Sequence, residues 1–460
     1  MNQDTFKKPA LWLGLVIACI FAVVLQRAGV NTQAALVAGI TCLCALWWVF
    51  EPIPIPVTSL LPLALFPLLG ILTPVEVAGA YGSPLILLLL GGFILSTAME
   101  KSGAHKHIAL MMINLFGGNS SKRVVFGFMA ASATLSMWVS NTATTLMLLP
   151  VALAILSSGN HKTMAVPLLL GICYSASIGG MGTPIGTPPN LIFMRVYEET
   201  QGSAVSFFQW MSWAVPIVII FVPLVGWWLT RKLEVTSGIE LPEQQPWTSH
   251  QKRVLGVFGL TAIIWITRTE PYGGWRDLLG LPQANDASVA LLAVVLMFLV
   301  PNGHGGKLLD WKTASRIPWG MLLLFAGGIA LAKAFTASGL ADILAEKFAG
   351  LALLPLLLMV LFVCLAVTFL TEITSNTATT SLLMPILAAA SAAANVDPLL
   401  LMVPAAMSAS CAFMLPVATA PNAIIFGSGQ IPIATMVQRG LMLNFLGAIV
   451  ITVLTLRIAA

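Results

Sequence analysis

The hexapeptide Ser-Asn-Thr-Ala-Thr-Thr occurs twice in this chain, at residues 140–145 and 375–380. Each copy is followed at the same distance by a proline, Pro150 or Pro385. If one helix ends and another begins at each copy, unpaired backbone N–H groups and a positive dipole end lie there, which favours anion binding. The hydroxyl and amide groups can also donate to a carboxylate or bind a cation. The repeated hexapeptides therefore predict a site for small charged ligands.

A second pair of polar, helix-breaking motifs lies about forty residues beyond each hexapeptide, at residues 184–190 and 416–422. Two motifs in the same order in both halves are typical of a binding site at the interface between repeats. Neither hexapeptide contains Arg or Lys, so a bound dianion would need cations to offset its charge. The hard neutral oxygens that suit Na⁺ come from the carbonyls around Gly186 and Ala418 and from Ser136, Thr371 and Thr374.

The alternative interpretation is that these polar residues serve only to hold neighbouring helices together through hydrogen bonds. Ser, Thr and Asn hydrogen bonds between membrane helices contribute about 0.6 kcal/mol each. One isolated motif would fit that role, whereas two identical copies with paired downstream motifs favour binding. Glu372 lies three residues before the second hexapeptide, and a charge deep in a membrane span costs about 2.5 to 3.5 kcal/mol. Glu372 either tunes a cation site or pairs within the protein, and the sequence leaves both open.

The composition predicts an all-α polytopic membrane protein. Hydrophobic residues make up 58% of the chain and charged residues only 8%, with a mean hydropathy of +0.94. About eleven apolar runs are long enough to cross about 30 Å of hydrocarbon. The runs at about 123–157 and 353–394 each have a polar break in the middle, which predicts two re-entrant hairpins whose tips are buried in protein or line a cavity.

The matched motifs divide the chain into two repeats. Each repeat contains five crossings and one hairpin, and this odd number inverts the second copy, so that the hexapeptides meet from opposite sides of the membrane. Two further matches fit the same register: Gly91-Gly92 with Gly327-Gly328, and Ser102-Gly103 with Ser338-Gly339. The predicted units are a first transmembrane helix at 1–32, repeats at 33–233 and 251–460, a linker at 234–250, and broken helices at about 164–198 and 399–430.

The distribution of basic residues predicts the orientation, since cytoplasmic loops carry an excess of Lys and Arg. With a cytoplasmic N-terminus and an external C-terminus, the inside holds Lys106, Lys122, Arg123, Lys162, Arg231, Lys232, Lys252, Arg253, Lys307, Lys312, Arg316 and Arg439. The outside holds only Arg27, Arg195, Arg268, Arg276, Lys347 and Arg457. This asymmetry accounts for the net charge of +5 without a nucleic-acid partner.

Other classes of function find little support in the sequence. The five histidines and six cysteines are not spaced as a metal site requires. No Ser/His/Asp or paired-carboxylate arrangement indicates an enzyme. A channel would need a continuous polar pore, which apolar spans with two blind hairpins do not predict.

At the motifs at 140–142, 184–190, 371–377 and 416–422 the chain resembles the divalent anion/sodium symporter family. The resemblance covers nearly the whole chain. It implies a first sodium site at Ser136, Ser140, Asn141 and the Gly186 carbonyl, and a second at Thr371, Thr374, Asn376 and the Ala418 carbonyl. It implies a substrate site at Ser140, Asn141, Thr142, Thr187, Ser375, Asn376, Thr377 and Thr419.

The resemblance also implies a function. We expect Na⁺-coupled import of C4-dicarboxylates such as succinate, malate and fumarate across a bacterial inner membrane. The family implies a homodimer in which a transport domain moves like an elevator against a fixed scaffold. The alternatives are a sodium-independent dicarboxylate exchanger and, behind it, a sulfate or tricarboxylate transporter.

Overall fold

The computed structural model describes residues 4–117, 120–157, 162–235, 239, 245–270, 273–348 and 355–458. Within these residues the regular structure is helical, apart from an isolated bridge between Pro301 and Lys307. This confirms the predicted all-α class. Residues 353–354 of the predicted second hairpin, 236–238 and 240–244 of the predicted linker, and the chain ends at 1–3 and 459–460 lie outside the described residues.

The first half of the chain contains twelve described α-helices and one short 3-10 turn. They are α1 (Asp4–Arg27), α2 (Thr32–Phe50), α3 (Ile55–Thr58), α4 (Leu61–Leu68), α5 (Pro74–Tyr81), α6 (Pro84–Ser102), α7 (Ala104–Gly117), α8 (Ser121–Ser136), α9 (Asn141–Ser157), the 3-10 turn (Lys162–Met164), α10 (Ala165–Gly180), α11 (Pro188–Gln201) and α12 (Phe207–Thr230).

The second half continues with helices of similar length in a similar order. They are α13 (Ser249–Ile266), α14 (Gly274–Leu278), α15 (Asp286–Leu299), α16 (Trp311–Ala314), α17 (Trp319–Ala337), α18 (Leu340–Phe348), α19 (Leu356–Thr371), α20 (Asn376–Ala394), α21 (Leu399–Ser408), α22 (Ala420–Gly427) and α23 (Ile433–Ile458).

Seven described helical segments are long and apolar enough to cross a membrane. They are Pro9–Arg27, Thr32–Phe50, Pro74–Ser102, Phe207–Thr230, Trp319–Ala337, Asn376–Ala394 and Ile433–Arg457. The described residues also form several shorter apolar helices, such as Ala165–Gly180. The chain is thus a multi-pass membrane protein, while the count of eleven crossings and the re-entrant hairpins stay predictions.

Helices α6 and α17 end in the same way, at Ser102-Gly103 and Ser338-Gly339. The two glycines have φ of +70° and +74°, a left-handed conformation that ends a helix at little cost only for glycine. In both places the serine hydroxyl accepts a hydrogen bond from the backbone N–H two residues later, at 3.2 and 3.4 Å. The matched sequences therefore form matched structures.

The glycine pairs in the middle of α6 and α17 allow close approach by neighbouring elements. A side chain at Gly92 would meet Ile185, in the break between α10 and α11, and one at Gly328 would overlap Ser381 in α20. Both helices thus pack directly against segments that carry the polar motifs.

The polar motifs lie where paired helices are interrupted. Residues 137–140 separate α8 from α9, and 372–375 separate α19 from α20. Residues 181–187 and 409–419 interrupt α10/α11 and α21/α22. Helix α9 packs against α22, and α20 packs against α11. Each hexapeptide helix of one half therefore contacts the broken helix of the other half.

Candidate functional site

The first oxygen cluster forms where α8 ends and α9 begins. The buried hydroxyl of Ser136 donates a hydrogen bond to Oδ1 of Asn141 at 2.5 Å. Gly180, at the end of α10, lies against the same carboxamide, since any side chain there would overlap Asn141. Gly186 lies in turn against the Gly180 carbonyl. The structure thus brings the predicted Ser136, Asn141 and Gly186 together and adds Gly180.

The second oxygen cluster has the same construction at the junction of α19 and α20. The buried hydroxyl of Thr371 donates to Oδ1 of Asn376 at 2.5 Å, again across five residues. It also lies 3.1 Å from the Ala409 carbonyl oxygen. The carbonyl beside Thr371 is therefore that of Ala409. Among the described residues no hydrogen bond joins the predicted Ala418, which is itself buried, to this cluster.

Thr374, also predicted for the second site, makes a different set of contacts. Its hydroxyl donates to the Leu370 carbonyl at 2.7 Å and lies 2.5 Å from the Thr379 hydroxyl. Since the Thr374 hydroxyl donates to Leu370, it accepts from Thr379 with one of its two lone pairs, and the second lone pair stays free for a cation.

The asparagine backbones are fixed in the same way in both halves. Thr145 donates to the Asn141 carbonyl at 2.8 Å, and Thr380 donates to the Asn376 carbonyl at 2.7 Å. These hydroxyls lie four residues further along their helices and occupy the carbonyls of the first turn. The last threonine of each hexapeptide therefore has the same structural role in both halves.

Asn190 and Asn422 close the two helix breaks with equivalent hydrogen bonds. Each side-chain amide donates to the carbonyls ten and seven residues upstream, at 3.0 and 2.7 Å for Asn190 and at 2.9 and 3.1 Å for Asn422. Thr187 and Thr419 precede α11 and α22 in nearly identical extended conformations, with φ of −147° and −141°. The two helix breaks therefore have the same hydrogen-bonded structure.

Several buried oxygens around the breaks have no hydrogen-bond partner among the described residues. They are Oδ1 of Asn190 and Asn422 and the hydroxyls of Ser175, Ser177, Ser408 and Ser410. A buried polar group without a partner costs about 1 to 3 kcal/mol, so a cation or an ordered water at these positions would stabilise the protein. The four serines were not predicted as site residues, although Ser-Ala-Ser occurs shortly before the first break, at 175–177, and at the start of the second, at 408–410.

The side chains expected to meet the substrate lie in the first turns of α9 and α20. Ser140 is exposed, and its Oγ accepts from the Ala143 N–H at 3.2 Å. Ser375 precedes α20 without a side-chain capping bond. Thr142 is half-buried and Thr377 is buried, and no side-chain hydrogen bond within the described part of the chain involves either. These hydroxyls are thus available beside helix N-termini, where backbone N–H groups favour an anion.

Glu372 pairs within the protein. Its buried carboxylate accepts hydrogen bonds from the backbone N–H groups of Met414 and Leu415 at 2.8 and 2.9 Å and from Nδ2 of Asn444 at 2.7 Å. Among the described residues it forms no ion pair. Three N–H donors therefore satisfy the carboxylate, which links the end of α19 to the second break.

In the first half, a hydrogen bond between neutral groups joins the end of α8 to the first break. There the hydroxyl of Thr183, in the break, donates to the Met137 carbonyl, directly after α8. The two junctions thus have the same location but different chemistry. Of these two junctions, both within the described residues, the second alone places a carboxylate next to an oxygen cluster.

In each break, a backbone carbonyl accepts a hydrogen bond from a buried aromatic side chain of another helix. The Trp210 indole donates to the Met181 carbonyl at 2.9 Å, and the Tyr174 hydroxyl donates to the Phe413 carbonyl at 2.7 Å. Since Tyr174 belongs to α10, its bond connects the broken helix of one half to the break of the other.

Known proteins resemble this chain over most of its length. A family model described as "Citrate transporter" matches residues 45–403. The sodium-dependent dicarboxylate transporter SdcS of Staphylococcus saprophyticus is 41% identical, and the match covers 96% of this chain and 89% of that protein. SdcS of Staphylococcus aureus strain NCTC 8325 is 41% identical, with 90% and 84% covered.

Solved structures of other transporters share the fold. The YdaH transporter of Alcanivorax borkumensis superposes with a TM-score of 0.59 at 15% identity, over 83% of this chain and 87% of that one. MtrF of Neisseria gonorrhoeae gives 0.59 at 14% identity, over 83% and 82%. Because the family model and the Staphylococcus relatives each cover most of the sequence, this chain belongs to the divalent anion/sodium symporter family.

Proposed function

We propose that this protein imports C4-dicarboxylates such as succinate, malate and fumarate together with Na⁺. The observation that carries the proposal is the pair of oxygen clusters, built by residues of equal spacing at two helix junctions. The relatives named sodium-dependent dicarboxylate transporters support the same assignment.

The first cluster offers Na⁺ the Ser136 hydroxyl, the Asn141 carboxamide oxygen and the carbonyls of Gly180 and Gly186. These are neutral oxygens of the kind that unwound helices provide for Na⁺ in transporters. The unpartnered buried oxygen of Asn190 supports a bound ion or water nearby. We assign Ser140 to this group as a further oxygen at the exposed edge.

The second cluster offers the Thr371 hydroxyl, the Asn376 carboxamide oxygen and the Ala409 carbonyl. Thr374 and the Ala418 carbonyl complete the proposed ligand set if they turn toward the ion when it binds. The adjacent charge of Glu372 favours a cation here more than at the first cluster, since the first cluster has Met137 at the equivalent place.

The substrate carboxylates are proposed to bind between the tips, at the Asn141 and Asn376 amides, the hydroxyls of Thr142 and Thr377, and the N–H groups that begin α9 and α20. Ser140, Ser375, Thr187 and Thr419 border this pocket. With no Arg or Lys in either hexapeptide, two Na⁺ supply the charge that balances the dianion.

Transport also requires that the site open to each side of the membrane in turn. We propose two inverted repeats, a homodimer and an elevator motion, with the basic loops and the N-terminus in the cytoplasm. The two halves make equivalent hydrogen bonds, and α9 packs on α22 while α20 packs on α11. These contacts support a motion in which the two clusters move as one unit.

The deciding experiment measures uptake of radiolabelled succinate into proteoliposomes. An inward Na⁺ gradient should drive accumulation, and K⁺ or choline should not replace Na⁺. Uptake that ignores Na⁺ but requires dicarboxylate inside the vesicles would identify an exchanger instead.

A further inference from the structure

A basic pocket lies between the end of α12 and the start of α23, and no residue of either oxygen cluster lines it. Its volume is about 310 Å³. It is lined by Trp228, Arg231, Lys232, Gln438, Arg439 and Met442. Helices α12 and α23 are neighbours, as Gly447 of α23 lies directly against the Phe221 ring of α12. The pocket is therefore formed by two packed helices.

The pocket contains three positive charges and no acidic side chain. Among the described residues, neither Arg231, Lys232 nor Arg439 forms an ion pair. Desolvation and the neighbouring charge of Arg439 lower the pKa of Arg231 from its usual value. The repulsion between these cations is uncompensated, which favours a bound anion.

The Arg231 guanidinium is held in position by Trp228. It stacks 3.1 Å from the centre of the indole ring, and its Nη1 donates to the Trp228 carbonyl at 2.9 Å. A stacked and oriented guanidinium binds an oxyanion with less loss of side-chain entropy than a free one.

The surface next to the pocket is apolar. Met442, Phe445 and Ile449 follow the pocket along one face of α23 and are 45%, 43% and 52% exposed. Trp227 is 62% exposed on α12. Both helices are apolar enough to span a membrane, and the pocket lies toward the end of one span and the start of the other. If both helices cross the bilayer, this places the pocket near the headgroups and the exposed face in hydrocarbon. The combined surface fits an amphiphile with an anionic head.

We propose that the pocket binds the phosphate of an anionic phospholipid, with the acyl chains along the exposed face of α23. Basic pockets between transmembrane helices are a known means of binding such headgroups. Free inorganic phosphate has the same anionic chemistry, but it would leave the adjacent apolar face unused.

The test uses the full-length protein in nanodiscs of phosphatidylcholine with or without phosphatidylglycerol or cardiolipin, and native mass spectrometry to count retained lipids. The double variant Arg231→Gln/Arg439→Gln removes two pocket charges. The matched control Lys122→Gln/Arg123→Gln removes two charges near the same end of the protein, where Ser121 bonds to the Glu234 carbonyl. In a third arm, inorganic phosphate is titrated against the retained anionic lipid.

The wild type and the control should retain an anionic lipid, and the pocket variant should bind it about 30-fold more weakly. That value follows from about 1 kcal/mol per basic side chain and 1.4 kcal/mol per tenfold change in Kd. Equal losses in both variants would overturn the proposal, because only the overall charge would matter. Displacement of the lipid by millimolar phosphate would overturn it as well. A thermal melt in phosphatidylcholine alone checks that both variants are folded.

Discussion

Replacement of Thr371 by valine tests the proposed second sodium site with little change in side-chain shape. The hydroxyl donates to Asn376 at 2.5 Å and lies 3.1 Å from the Ala409 carbonyl, and valine removes these contacts. If Thr371 binds Na⁺ or orients a residue that does, the substitution should weaken Na⁺ binding 10- to 100-fold, the usual effect of losing a group that orients a metal ligand.

Thr368 provides a matched control in the same helix, three residues earlier. Both threonines are fully buried, but the Thr368 hydroxyl has no partner among the described residues. Thr368→Val should therefore leave Na⁺ dependence unchanged and should be neutral or slightly stabilising, since the methyl group replaces an unpaired polar group. Thr371→Val should lower the free energy of unfolding by about 2 kcal/mol, at about 1 kcal/mol for each lost hydrogen bond.

The assay measures initial succinate uptake into proteoliposomes over a series of external Na⁺ concentrations, with thermal stability recorded without Na⁺. The expected result is at least a tenfold increase in the half-saturating Na⁺ concentration for Thr371→Val alone. If Thr371→Val lost stability but kept the wild-type Na⁺ dependence, the hydroxyl would serve only to join helices. Equal Na⁺ effects in both variants would likewise refute the assignment.

Three further predictions follow from the same geometry. Asn141→Ala and Asn376→Ala should each abolish uptake while the protein elutes as a folded particle in size-exclusion chromatography, because each carboxamide serves both ion and substrate; normal uptake would contradict this. Glu372→Gln should raise the half-saturating Na⁺ concentration and lower the melting temperature, since a neutral amide cannot accept all three N–H bonds; an unchanged Na⁺ response would limit Glu372 to a structural role. An inside-negative potential set with K⁺ and valinomycin should not slow Na⁺-driven uptake, because two Na⁺ offset the dianion at about 2.3 kcal/mol per charge and 100 mV; clear inhibition would mean fewer than two cations.

The sequence predicted the parts of the fold and site that depend on local patterns. Apolar runs indicated helices, and the repeated hexapeptides marked the positions where α9 and α20 begin, at Asn141 and Asn376. Ser102-Gly103 and Ser338-Gly339 were matched correctly because a left-handed helix end requires glycine at one specific place. Such features involve residues only a few positions apart.

Contacts between distant segments were not predictable in this way. The Ala409 carbonyl lies beside Thr371 because the path of the chain through the second break decides which carbonyl faces the hydroxyl. The role of the Ala418 carbonyl as a sodium ligand stays a prediction. Likewise the donors to Glu372 lie more than forty residues away and belong mostly to the backbone, so their sequence carries no signal.

The two halves of the protein differ at the junction behind each oxygen cluster. The hydrogen bonds within each cluster agree closely, because the hexapeptides are identical and fix the same helix start. The junction behind each cluster is a neutral hydroxyl bond at Thr183 in one half and a buried carboxylate, Glu372, in the other. Coulomb attraction in a medium of low dielectric is strong, so, if both clusters bind Na⁺, an ionised Glu372 favours the second. We therefore expect Na⁺ to occupy the second cluster first, and the dicarboxylate to bind after both ions have neutralised the tips.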